Sequence, residues 1–432
     1  MIPAARLAAA IEVLTEIEGK KRPAPEALRE WGQTHRFAGS GDRAAIGSLL
    51  FDALRRRASS AWLMGVETPR AILLGALRLA RSMSVEEIAK LADGSRFAPE
   101  PLSDDERKRL QAGSLAGAPS HVAGDYPEWL DPHLAQNFGE ERWQEGLALA
   151  LRAPLDLRVN TLKSDRDSVA KELSHLNVQP SRWSPNGLRI ELSADGRQPP
   201  VTSEPSFIKG DFEVQDEGSQ LAALFAGAAP GEQVLDLCAG AGGKTLALAA
   251  TMENKGQLFA YDSDLRRLAP IHERLTRAGV RNVQVRSPKG KQDVLADLEG
   301  KADLVLIDAP CTGTGVWRRH PDAKWRIRPG ALEIRQREQA VLLDEAVRFA
   351  KPGGRIVYVT CSILDAENGA QIRAFRERVA GLDVVPPSEV VKTLGDNAIV
   401  FSRTAKLSDE GVQMTPRRTG TDGFFVSILR KN

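Results

Sequence analysis

The sequence predicts an α/β protein: a doubly wound, mainly parallel sheet in the C-terminal half, preceded by an all-α part and a small mixed α/β unit. Three observations predict it. From residue 213 onward, short apolar runs rich in Val, Ile and Leu alternate with helical segments, the pattern of a parallel sheet covered on both faces. Over residues 1 to about 95 the apolar residues recur every three or four positions instead. Between these regions a strand, a helix and a second strand follow one another closely.

In chain order, Leu7, Ile11, Leu14 and Ile17 share one helix face, as do Ile46, Leu49, Leu50, Ala53 and Leu54, and then Ile72, Leu73, Ala76, Leu77 and Ala80. They form a small helical bundle. Residues 93 to 127 are rich in Pro, Gly, Ser and charge and read as a linker with one short helix. "YPEWLDPHLAQNFG" opens a short helical section, followed by a strand in "LDLRVNTLK", a helix from about Ser164 to Leu176, and a strand in "GLRIEL". The alternating region then supplies strands in "QVLDLC", "QLFAYD", "NVQVRS", "ADLVLIDAP", "RIVYVTCS", "AIVFS" and "GFFVSILR". The division expected is 1–125, 126–212 and 213–432.

Lys and Arg number 59 against 57 Asp and Glu, so any affinity for nucleic acid must come from local basic patches. Glu12, Glu16 and Glu18 interrupt the apolar N-terminus, and no later segment approaches the ~18 apolar residues of a membrane span. A cytoplasmic protein without a membrane partner is expected. The cysteines are Cys238, Cys311 and Cys361, with no Cys-x-x-Cys pair and no neighbouring His cluster, which argues against a metal site or a disulfide framework.

"LCAGAGGKT" fails as a phosphate-binding loop by one residue, because Cys238 stands where the first glycine is required. Gly240, Gly242 and Gly243 nevertheless suit a strand-to-helix turn that approaches a ligand closely. Asp262, at the end of the next strand, can bind two ribose hydroxyls. A nucleoside cofactor fits better than a triphosphate; taken alone, the residues suit NAD and S-adenosylmethionine equally, and a turn with no ligand is the plain alternative.

Cys311 and Cys361 each follow an apolar strand, and one crossover helix joins those strands. Neighbouring parallel strands lie about 5 Å apart, so both thiols can open into one crevice. Asp308 and Pro310 accompany Cys311. Two core cysteines, or a thiol-redox pair, are the alternatives.

Together "VQDEGSQL", "LCAGAGGKT", "DAPCTGTG" and "TCS", with the terminal "TDGFFVSILR", resemble the RNA cytosine-C5 methyltransferases of the Nol/Nop/Sun family, from about residue 126 to the end. "GDRAAIGSLLFDALRRR" resembles part of a NusB-like RNA-binding domain. The resemblance implies a Rossmann-like methyltransferase sheet and S-adenosylmethionine as cofactor. It makes Cys361 the nucleophile that adds to cytosine C6, and Cys311 the thiol that assists breakdown of the adduct. Asp308 would face the base, with Lys244 beside it. Cys238, Ala239, Gly240, Gly242, Gly243, Lys244, Asp262 and Asp308 would surround the cofactor. Two positions depart from the family: Ala241 replaces a proline, and Ser287 stands roughly where a Gly-Asp pair would contact adenine, so that contact is left unassigned, to Asp293 as to any other residue.

Residues 315 to 330 set Arg318, Arg319, His320, Lys324, Arg326 and Arg328 around Trp317 and Trp325, a composition suited to phosphates and unpaired bases. A solvated loop anchored by Trp is the alternative. Arg158 and Asn160 in "LRVNTLK" shape the substrate side by resemblance, although a strand-end role would look the same. Arg43, Arg55, Arg56 and Arg57 either grip phosphate or form a solvated helix face. The expected partner is an exposed cytosine in structured RNA, ribosomal by analogy with the NusB-like part, and the expected state is a monomer with no obligate protein partner. Transfer-RNA methylation and a noncatalytic RNA-binding assembly factor are the remaining readings.

Overall fold

The computed structural model describes residues 1–192, 198–290 and 292–432. The chain forms two compact units.

The first unit takes Met1–Arg152 together with Trp317–Arg328. Its main helices are Pro3–Lys20, Ala24–Thr34, Ser40–Arg55, Arg57–Met64 and Pro69–Leu79, and the predicted apolar stripes (Leu7, Leu14, Ile46, Leu50, Ile72, Leu77) point into one core. Residues 93–127 are not a loose linker. Helix Asp104–Ala112 starts at a Ser103/Glu106 capping box, and Leu102 and Leu110 join the same helical core. Tyr126 is fully buried, and the division between units falls at 152/153. Pro, Gly and Ser here punctuate short helices that pack; composition alone does not separate that from a spacer.

In the second unit, strands β1 (Leu155–Val159), β2 (Gln179–Pro180), β3 (Gly187–Ile190) and β4 (Phe212–Val214) form an antiparallel sheet in the order β2-β3-β1-β4. The remaining strands are β5 (Gln233–Asp236), β6 (Gln257–Tyr261), β7 (Val283–Arg286), β8 (Ala302–Asp308), β9 (Ala350–Thr360), β10 (Leu382–Val384), β11 (Lys406–Leu407), β12 (Val412–Met414) and β13 (Phe424–Lys431). They build a second sheet in the order β11-β12-β13-β9-β8-β5-β6-β7, with β10 paired to β13. β7, β6, β5, β8 and β9 run parallel, while β13 is antiparallel to β9. β5 sits between β6 and β8, so the strand order reverses there and a crevice opens above the carboxyl ends.

The predicted strand in "AIVFS" is a helix, Ala398–Thr404. Only Phe401 of that run is buried, its ring edge-on to Trp183 and Phe225, while Ile399 and Val400 face solvent. One anchor residue per turn suits a helix, and the β-branched run imitated a strand.

Candidate active site

β5 ends at Asp236, and the turn 237–242 leads into helix Gly243–Thr251. Gly240 and Gly242 adopt positive φ (51° and 85°), which brings the backbone amides around the turn. A Cβ on Gly242 would lie 2.6 Å from Cγ1 of Ile271. The Gly240 N–H donates to Oδ2 of Asp262 (2.9 Å) and the Asp264 N–H to its Oδ1 (2.9 Å). The acidic side chain at the end of β6 is thereby buried and fixed beside the turn, with a lone pair left on each oxygen for a diol. Amides on one side and a fixed carboxylate on the other fit a nucleoside cofactor.

Lys244, almost wholly buried, places Nζ 2.6 Å from Oδ2 of Asp308 and over the Phe424 ring. Beneath it the Thr245 hydroxyl donates to Asp236 (2.7 Å); burial pushes the Asp236 carboxyl up to about 7, opposed first by that hydroxyl. Burial, reinforced by Asp236, Asp308 and Asp262, also raises the Cys238 thiol well above its ordinary value, which makes it a poor nucleophile.

The two remaining thiols meet. β8 and β9 are adjacent and parallel, and beyond their last paired residues, Asp308 and Val359, Cys311 Sγ lies 3.3 Å from Cys361 Sγ. Both side chains are partly accessible. The contact with Cys361, and then burial, hold the Cys311 thiol well above the usual range, so Cys311 stays protonated near neutral pH.

A family model described as 16S rRNA methyltransferase RsmB/F matches residues 224–430, and one described as an RsmF/B-like ferredoxin-like domain matches residues 126–195. The chain is 34% identical over 328 residues to ribosomal RNA small subunit methyltransferase B of Citrobacter koseri, covering 75% of this chain and 71% of that one. The chain belongs to the RsmB/F methyltransferase family. The protein of the same name from Salmonella arizonae is 35% identical over 309 residues, 71% of this chain and 66% of the relative, just under two thirds of its length. The crystal structure of PH0851 superposes over 100% of this chain and 99% of its own, with a TM-score of 0.72 and 27% identity. The sheet order is that of a Rossmann-like methyltransferase, and methyltransferases of this family use S-adenosylmethionine.

Among the residues expected on the RNA side, Asn160 sits at the end of β1 with both amide hydrogens engaged, on the carbonyls of Gly210 (2.8 Å) and Ala278 (2.8 Å). Arg158 is buried and donates to the Gly243 carbonyl (2.8 Å) and to Gln215; burial pushes its pKa down to about 10. Both hold backbone in place in this fold. The basic segment after residue 316 packs into the helical unit. Trp317 and Arg318 are buried, the Trp325 indole N–H donates to the Leu54 carbonyl (2.6 Å), and Lys324 donates to the carbonyls of Arg55 (2.9 Å) and Asp125 (2.6 Å). Arg319 is half-buried and His320 exposed. The arginine run is similarly used: Arg55 donates to the Arg318 carbonyl, Arg56 pairs with Asp125, and Arg57 pairs with Glu18 and Glu67. Only Arg43 of the four is exposed.

Sequence reasoning missed the groups that brace the turn. Arg274 donates to the Ala241 carbonyl (2.7 Å) and pairs with Glu213 on β4 (3.0 Å), and Glu213 also binds Arg277. Asp293, near the expected adenine contact, instead pairs with Arg348 (2.6 Å) and caps the Leu295 N–H. It also missed Glu367, six residues after Cys361 and joined to both cysteine loops.

Proposed function

We propose that the chain transfers a methyl group from S-adenosylmethionine to C5 of a cytosine in ribosomal RNA. The observation that carries this reading is the sulfur pair at the ends of β8 and β9, 3.3 Å apart, beside the Lys244–Asp308 pair and the cofactor turn. Cytosine C5 is a weak nucleophile. Addition of the Cys361 thiolate to C6, with a proton taken up at N3, makes C5 enamine-like; C5 then takes a methyl group, the C5 and N3 protons pass to water, and the C6–S bond breaks with Cys361 leaving as thiolate. Cys311, protonated and touching Cys361, assists that breakdown. Asp308 accepts from the amino edge of the base, with Lys244 fixing its carboxylate. The turn 238–243 and Asp262 hold the cofactor, which supplies an electrophilic methyl group when bound.

Arg319 and His320 remain proposed RNA contacts on accessibility, while Arg158, Asn160, Arg318 and Trp325 support the backbone. The helical segment 1–125 serves as an RNA-binding part, 126–212 as a substrate unit and 213–432 as the catalytic domain, in a monomeric cytoplasmic enzyme. No helix among the described residues is long and apolar enough to cross a membrane.

The test is a denaturing gel of protein incubated with unmodified small-subunit RNA and cofactor. Cys311→Ala should accumulate a covalent protein–RNA adduct and Cys361→Ala should form none. The opposite pattern would reverse the thiol roles, and no adduct with either variant, alongside no methylation by the parent, would sink the reaction.

A further inference from the structure

β8 and β9 bring the two thiol loops side by side, but strand pairing stops short of the sulfurs. The last ladder pair is Asp308 with Val359, followed by the Ala309 N–H on the Val359 carbonyl; the next backbone link described is the Gly315 N–H on the Cys361 carbonyl. Cys311 lies in the gap.

Glu367 closes that gap. Its side chain is fully buried and meets four donors. Oε1 accepts the Thr312 N–H (2.8 Å) and the Gln339 amide (3.1 Å); Oε2 accepts the Ser362 hydroxyl (2.6 Å) and the Thr312 hydroxyl. Thr312 adjoins Cys311 and Ser362 adjoins Cys361, so a single carboxylate grips the residue next to each thiol. No basic side chain pairs with it among the described residues. A buried carboxylate is costly unless donors surround it, and closing two loops does not by itself require a charged group. An amide in its place would turn its NH2 toward the Ser362 and Thr312 hydroxyls, and both would have to switch from donating to accepting.

We propose that Glu367 is a positioning residue for both thiols, tying the Cys311 loop to the Cys361 loop and thereby keeping the two sulfurs in contact. The inference rests on the two-thiol methylation reading, in which one sulfur must act on the adduct formed by the other.

The test compares the full-length parent with Glu367→Gln and Glu367→Asp in two independent measurements. The first is a geometric ruler: diamide takes two electrons and two protons from Cys311 and Cys361 to leave a disulfide, at a rate that depends on sulfur contact. Glu367→Gln should slow it about tenfold or more, because ångström-scale displacement of reacting atoms has effects of that size. The second is steady-state methylation of unmodified small-subunit RNA, where kcat should fall by a similar factor while the RNA KM and cofactor affinity change less than about twofold. Glu367→Asp, which keeps the charge and loses a methylene, should recover part of both. A residue needed only for the fold would lower thermal stability and cofactor affinity and raise the RNA KM together. A folded Glu367→Gln protein with the parent's disulfide rate and kcat overturns the proposal. Should that variant not fold, Ser362→Ala, which removes one donor, should still slow the disulfide severalfold, and failure of all three to fold would assign Glu367 to the fold alone. Absence of methylation by the parent would strike the reaction, while the diamide arm still judges the positioning.

Discussion

Gly242→Ala probes why the cofactor turn has its shape. Gly242 sits at φ 85°, ψ 17°, where a side chain costs roughly 1–2 kcal/mol, offset by less than about 1 kcal/mol from a stiffer unfolded chain. The new Cβ would also stand 2.6 Å from Cγ1 and 3.0 Å from Cδ1 of Ile271, a fully buried residue with no room to retreat. Overpacking of this kind adds about 1–3 kcal/mol. Together these destabilise the second unit by about 2–4 kcal/mol, and cofactor affinity should fall because the turn must shift. The two causes separate in a double-mutant cycle with Ile271→Ala, which removes both clashing carbons and leaves the backbone strain. Ile271→Ala alone should cost about 2–5 kcal/mol from its cavity. The double variant should be better than the sum of the singles by about 1–3 kcal/mol, the steric share. Urea denaturation with and without cofactor measures all four proteins. Additivity within about 0.5 kcal/mol would refute the argument, since it would mean that the turn avoids Ile271 at no cost.

Asn160→Ala should leave two buried carbonyls without donors, costing about 2 kcal/mol or more in urea denaturation, while RNA affinity in a filter-binding titration changes less than about twofold. In the helical unit, burial pushes Lys324 from its ordinary value down to about 7, against the opposing charge of Asp125 and with help from Arg55 and Arg56. The unfolded chain therefore binds more protons than the folded one between pH 7 and about 10, so stability should rise with pH from 7 to 9 by at most about 1.4 kcal/mol per unit. Lys324→Met should flatten that slope in urea titrations, and a parent whose stability is constant or falls over the same interval would contradict the assignment.

Four of the five parallel strands were legible because each is an apolar run ending beside a residue that the proposed site uses or leans on, Asp236 after β5, Asp262 after β6, Cys311 after β8 and Cys361 after β9, whereas β7 (Val283–Arg286) is only partly buried and ends without one. Burial on both faces leaves such strands no alternative pattern. "AIVFS" shows the limit. Its β-branched run carries strand propensity, but one buried Phe401 between Trp183 and Phe225 settles it as helix, and that contact joins residues more than 170 positions apart. The basic segment 317–328 shows the same limit in part. Lys324 and Trp325 read as an RNA grip, but their hydrogen bonds go to the carbonyls of Asp125, Arg55 and Leu54, distant in sequence, while His320, Arg326 and Arg328 stay exposed.

The site divides along a similar line. A group that must touch cofactor or base has to stand at a strand end, where sequence order alone locates it. A group that holds those residues in place has no such address. Glu367 lies in a short turn after Cys361, and only its two oxygens, shared between Thr312 and Ser362, reveal its connection to both thiols. Arg274 reaches the Ala241 carbonyl from a helix thirty-three residues downstream, while Glu213, which orients it, belongs to the small sheet. Arg158, on β1 of that sheet, holds the Gly243 carbonyl. The cofactor turn is therefore gripped at two carbonyls by arginines that depend on the small sheet, one for its position and one for its charge partner. Removing the Glu213 charge should accordingly disturb the cofactor turn even though Glu213 touches neither the turn nor a thiol. That is why catalytic geometry here belongs to the whole second unit, and why a motif search finds the thiols without finding what holds them together.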